Sequence, residues 1–134
     1  MYAILVHKNY DVLDICENYQ DALGIKSKLL EHEPELYIQI VDTDKSSHLK
    51  VTYTELGGPW GYGHKEVSFE TYGGIKECLI RLVNWVKETE RVFGPDWRDV
   101  RDYFRKCNVY INNQDKTRWF KNVYVNKIAH IYFA

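Results

Sequence analysis

The sequence predicts a single α+β domain over residues 1–134, with two or three helices packed on one face of a largely antiparallel sheet. Short aliphatic or alternating segments recur along the chain between turn signals, which suits hairpins rather than long parallel crossovers. Two longer segments, residues 74–93 and 95–107, instead repeat apolar residues at helical spacing. No linker, low-complexity tract or internal repeat divides the chain, and at 134 residues it can bury about two-thirds of its unfolded surface in one core.

The elements follow in order. Residues 2–7 (YAILVH) and 12–16 (VLDIC) flank the turn-prone KNYD and form a hairpin. Asn18 and Asp21 make a capping pair, after which Ala22, Ile25, Leu29 and Leu30 keep helical spacing until Pro34 stops the helix. In ELYIQIV, Leu36, Ile38 and Ile40 alternate with Tyr37 and Gln39. After the polar DTDKSS turn, Leu49, Val51 and Tyr53 alternate with Lys50, Thr52 and Thr54, giving a second hairpin.

A glycine-rich segment comes next, then KEVSFETY as a strand. Ile75, Leu79, Leu82, Val86 and Phe93 define one helix face, widened by Cys78, Val83 and Trp85. Gly94 and Pro95 mark a stop and a new first turn, and Trp97, Val100, Phe104 and Cys107 edge the following helix. The tail from Asn108 reads as three strands, with turns at 112–116 and 126–127.

Composition narrows the function classes. Three cysteines, none in a CxxC pair, argue against a disulfide framework and a zinc site and fit a cytoplasmic protein. The five apolar residues after Met1 are too few for a signal-peptide core or a membrane span, so no targeting signal and no membrane association are expected. Eleven tyrosines among twenty aromatics supply amphipathic rings that suit half-buried strands and contact surfaces. Net charge is −1, but residues 1–75 carry −6 and residues 76–134 carry +5, with all six arginines in the second part. Such sorting steers an anionic partner to one face, or lets the two halves attract each other.

Cofactor and metal chemistry find no support in the motifs. Gly61 and Gly63 lack the third glycine and the following helix of a phosphate loop. The five histidines show neither HxH nor HExxH. Asp42-Thr43-Asp44 opens like a calcium loop but has Ser47 where glycine is required and Tyr53 where the bidentate glutamate belongs. Cys16, Cys78 and Cys107 fall on apolar faces, as small buried hydrophobes do.

Two surfaces remain. The segment LGGPWGYGHKEVSF (56–69) places Trp60, Tyr62 and His64 among four glycines and a proline, where ordering each ring costs entropy unless it caps the core or meets a partner. Its G-Y-G and V-S-F groups resemble the aromatic strand signature of RNA-recognition modules, interrupted by His64, Lys65 and Glu66 and lacking the second stacking strand. Arg98, Arg101 and Arg105 share one helical stripe that Asp102 partly neutralises, and Arg118 beside Trp119, with Lys116 and Lys121, extends a basic aromatic surface.

The expectation is a small interaction protein that binds a protein partner, as regulators or inhibitors of larger complexes do, through Trp60, Tyr62, His64, Arg98, Arg101, Arg105, Arg118 and Trp119. The alternatives are nucleic-acid binding through the arginine-rich half, and a small hydrolase or nuclease using His64 with Glu66, which alternate on one strand and share a face.

Overall fold

Hairpin registers and helix stripes organise the chain into two antiparallel sheets, each with its own covering helices. The computed structural model describes residues 1–7, 9–57, 62–93 and 97–125, with side chains described outside 55–65, 93–99 and 125. Strands β1 (Tyr2–Val6), β2 (Asp11–Cys16) and β3 (Ile38–Asp42) form a three-stranded sheet of order β2-β1-β3. Helix α1 (Tyr19–His32) covers it and buries Ala22 against Ile4 and Cys16. Asn18 caps α1 as expected, its side-chain oxygen accepting the Asp21 N–H at 2.8 Å. The DTDKSS stretch holds a 3₁₀ turn over Thr43–Lys45, with Asp42 Oδ1 accepting from the Asp44 N–H.

The second hairpin expected between β3 and the next strand does not form, because β3 pairs with β1; instead strands β4 (Ser47–Gly57) and β5 (Tyr62–Gly73) make a long hairpin. With β6 (Cys107–Ile111) and β7 (Gln114–Asp115) they form a four-stranded sheet of order β5-β4-β6-β7. The β4 alternation read from the sequence sets its two faces: Leu49 and Val51 are fully buried inward, while His48, Lys50 and Thr52 turn the other way. A bulge between Val51 and Thr52 resets the register of β5, so Val51 pairs with Phe69 and Thr52 with Val67. Helices α2 (Ile75–Phe93) and α3 (Trp97–Arg105) supply Leu82, Trp85, Val86, Val100 and Phe104 to the main core. Ile75 and Leu79, expected on the buried stripe of α2, are exposed. The buried position in their place is Arg81.

The tail departs from the expected three strands. Asn112 and Asn113 both adopt positive φ, 50° and 64°, and close a two-residue hairpin loop between β6 and the two-residue β7. A helical turn, α4 (Thr117–Phe120), and a π-helical turn (Lys121–Val125) then stand where the second tail strand was expected, while the third lies outside the described residues. One local and one tertiary hydrogen bond start it: Asp115 accepts the Thr117 N–H at 2.9 Å, and the Thr117 hydroxyl accepts the Val109 N–H of β6 at 3.0 Å. Burial completes it, because Phe120 and Tyr124 on one side of the turn pack with Phe104 in the core. Tertiary packing overrides the strand propensity of this tyrosine- and valine-rich stretch. The expected turn at 126–127 lies outside the described residues.

The two sheets are tied by side chains rather than by a shared ladder. The Thr71 hydroxyl donates to the Tyr10 carbonyl at 2.8 Å, and Asp11 accepts the Glu70 N–H at 2.9 Å, which occupies the β5 edge. No described helix is long and apolar enough to cross a membrane.

Candidate functional site

The outer face of the four-stranded sheet, opposite the core, carries a groove of about 410 Å³ lined by strand and turn residues alone: His48, Lys50 and Thr52 of β4, Val67 of β5, Tyr110 of β6 and Asn113. Cross-strand register builds it. His48 faces Tyr72, Lys50 faces both Glu70 and Tyr110, and Thr52 faces Val67. Asn112 fixes the near end, its side-chain oxygen accepting the His48 N–H at 2.8 Å while its own N–H donates to the His48 carbonyl at 2.8 Å.

At this end the His48 ring lies flat on Tyr72, centroids 4.3 Å apart and planes 12° apart, and its Nε2 meets Glu70 Oε2 at 2.6 Å. That hydrogen bond holds the Glu70 carboxyl below the ordinary carboxylate range. Against an ionised carboxylate Nε2 is the donor, so the ring is locked in plane and tautomer. Burial raises the Tyr72 phenol, with the Glu70 charge adding to the effect. Lys50 adds a cation to the rim, and Val67, 54% exposed, presents an apolar side chain. Thr52 is only 3% exposed, and its hydroxyl has no hydrogen-bond partner among the described residues.

A histidine oriented by a carboxylate can serve as a base, but a covalent mechanism also needs a nucleophile. The three cysteines do not provide one: all are buried, and burial pushes the Cys107 thiol up to about 12. Among the described residues, no three His, Cys, Asp or Glu side chains gather as a metal site would require. The groove is lined by the His48 and Tyr110 rings, the Lys50 cation, the Val67 side chain and the buried Thr52 hydroxyl.

The residues singled out from the sequence fall elsewhere. Trp60 lies outside the described residues, and for Tyr62, His64 and Arg98 only the backbone is described: Tyr62 pairs with Gly57 and His64 with Glu55 in the β4–β5 ladder, while Arg98 sits in α3. Glu66 pairs with Tyr53 and is exposed; whether it meets His64 lies outside the described residues. Arg101 is mostly covered, with its guanidinium 3.7 Å from Asp102, and Arg105 is exposed. Trp119 is 39% exposed and packs edge-on to Tyr124, whereas Phe120 is fully buried and takes no part in a surface. Arg118 and Lys121 border a second hollow of about 640 Å³ with Asp115, Thr117 and Asn122.

The sequence reading passed over His48, Lys50, Thr52 and Glu70. Their signal was the outward phase of β4 and, for Glu70, of β5, which becomes informative only once the register of these strands is known. No family model matches the chain, and no curated protein or solved structure matches it significantly.

Proposed function

We propose that the protein acts by binding a protein partner, in the manner of a small regulator or inhibitor, and that the open face of the four-stranded sheet is the surface it uses. One observation carries this: the face opposite the core holds an open groove lined by Tyr110 and by His48, whose ring is locked against Tyr72, with a half-exposed Val67 beside them, and rigid amphipathic rings are what interfaces are enriched in. Arg118 and the adjoining exposed Trp119 offer a second contact region on the same polypeptide. The test is a pull-down of the tagged protein from cytosol, divided into nuclease-treated and untreated halves, with wild type compared to Val67→Asp and Lys50→Glu. A stoichiometric protein that survives nuclease and is lost with both variants supports the proposal; equal capture by all three forms removes the groove from it.

Nucleic-acid binding is the second reading, favoured by the hollow that Arg118 and Lys121 share beside an exposed Trp119. It requires affinity that falls steeply with salt, with a log–log slope that shrinks by about one when Arg118 is replaced by Ala. Salt-independent binding, or none, eliminates it.

A further inference from the structure

A cleft of about 370 Å³ opens between the three-stranded sheet and α2, lined by residues that include Asn9, Tyr10, Gln39, Glu77, Arg81 and Asn84. At its base lies Arg81, a guanidinium only 8% exposed. One edge is fully engaged: Nη1 donates to the Thr71 hydroxyl at 3.0 Å and to the Tyr72 carbonyl at 2.8 Å. The plane lies over the Tyr10 ring, 4.5 Å from its centroid. The other edge is held loosely, with Nη2 at 3.4 Å from Gln39 Oε1 and 3.6 Å from Glu77 Oε2, both near the limit of useful contact. Glu77 is itself 59% exposed, so water screens its carboxylate.

A role as a strut between the sheets accounts for the Nη1 bonds to β5 and the Tyr10 stack, but the Nη2 contacts are long and a cavity stands in front of them. A buried cation whose counter-ion sits in solvent favours an additional anion. The surroundings are arranged to keep this one in place. Tyr10 holds a positive φ of 57°, a conformation unusual for a tyrosine, while its carbonyl accepts from Thr71 and its ring supports Arg81. At Gly73 a Cβ would stand 2.9 Å from Arg81 Nη1, which its hydrogen bonds hold in place, and 2.9 Å from Glu77 Oε2, which can swing into solvent, so the glycine leaves room for the guanidinium. The amides of Asn9, Gln39 and Asn84 supply neutral donors around the mouth.

We infer that this cleft is a binding site for a small polar molecule bearing an oxyanion, a carboxylate or phosphoryl group, which docks on the Nη2 edge of Arg81 and displaces Glu77 as its counter-ion. The site is separate from the sheet-face groove, and a guanidinium edge is the side chain best shaped to take such a group.

The test is a titration of the isotope-labelled protein with inorganic phosphate and, separately, with acetate, followed by nuclear magnetic resonance against a sodium chloride control of equal ionic strength. The expected result is saturating shifts at the Arg81 guanidinium, the Gln39 side-chain amide and the Tyr10 N–H with at least one of the two anions. Phosphate alone identifies a phosphoryl ligand, acetate alone a carboxylate, and both the shared oxyanion chemistry. Arg81→Met should abolish the shifts but also disturbs the fold, so two variants at exposed positions complete the test. Glu77→Gln removes the competing carboxylate and should tighten binding roughly fivefold, and Asn84→Glu places a like charge at the mouth and should weaken it by a similar factor. Shifts that match the chloride control, fail to saturate, or ignore both variants overturn the inference.

Discussion

At the residue scale, two carboxylates on neighbouring strands respond to acid in opposite senses. The hydrogen bond from His48 lowers the folded-state pKa of Glu70, so its contribution to stability is present above the ordinary carboxylate value and is lost as pH falls through the lowered one. Asp11 behaves inversely. Burial raises its folded-state pKa, with the Glu70 N–H bond opposing, so its contribution is complete below the ordinary value and declines as pH rises through the raised one. Glu70→Gln should therefore flatten the acid end of a plot of urea midpoint against pH, and Asp11→Asn the stretch just above it. Identical curves for wild type and both variants would show that neither group is coupled to folding. Gly73 gives a steric counterpart: Gly73→Ala meets the pinned Arg81 guanidinium at 2.9 Å and should cost about 1–3 kcal/mol in urea denaturation.

At the element scale, the chain shows which signals survive without tertiary information. The Asn18 cap, the Pro34 stop and the alternation of β4 are local, and each produced the element expected of it. The stretch from Thr117 to Val125 did not, because its helical turns depend on Thr117 reaching Val109 and on Phe120 reaching Phe104, contacts no short window contains. Phe120→Ala should accordingly cost about 3–5 kcal/mol, as for a buried core phenylalanine, and not the few tenths of an exposed strand residue. The hairpin loop makes a second prediction here. Asn113 has a φ of 64°, so Asn113→Gly should leave stability unchanged or slightly raised, while Asn113→Val should lower it by about 1–2 kcal/mol, both read from thermal denaturation.

At the scale of the whole molecule, the α+β class was legible because periodicity and turn chemistry decide it, whereas the site was not, because it is made by register. His48 and Glu70 are 22 positions apart in sequence and 2.6 Å apart in the fold. Arg81 carried a fainter clue: it falls between Cys78 and Leu82 on the apolar stripe of α2, where a charge must find partners or stay in water. Its partners come from both sheets, so Arg81→Met should lower stability by about 1–3 kcal/mol and release hydrogen-exchange protection first in the three-stranded sheet. Uniform loss across both sheets would mean that the guanidinium does not join them. The proposal that the open sheet face binds a protein is tested most directly by placing a photo-crosslinking amino acid at position 67 and irradiating the protein in nuclease-treated cytosol. One discrete protein adduct at position 67, absent when the crosslinker is moved to exposed Leu13 on the other sheet, is the expected result. The same adducts from both positions, or none from position 67, would contradict it.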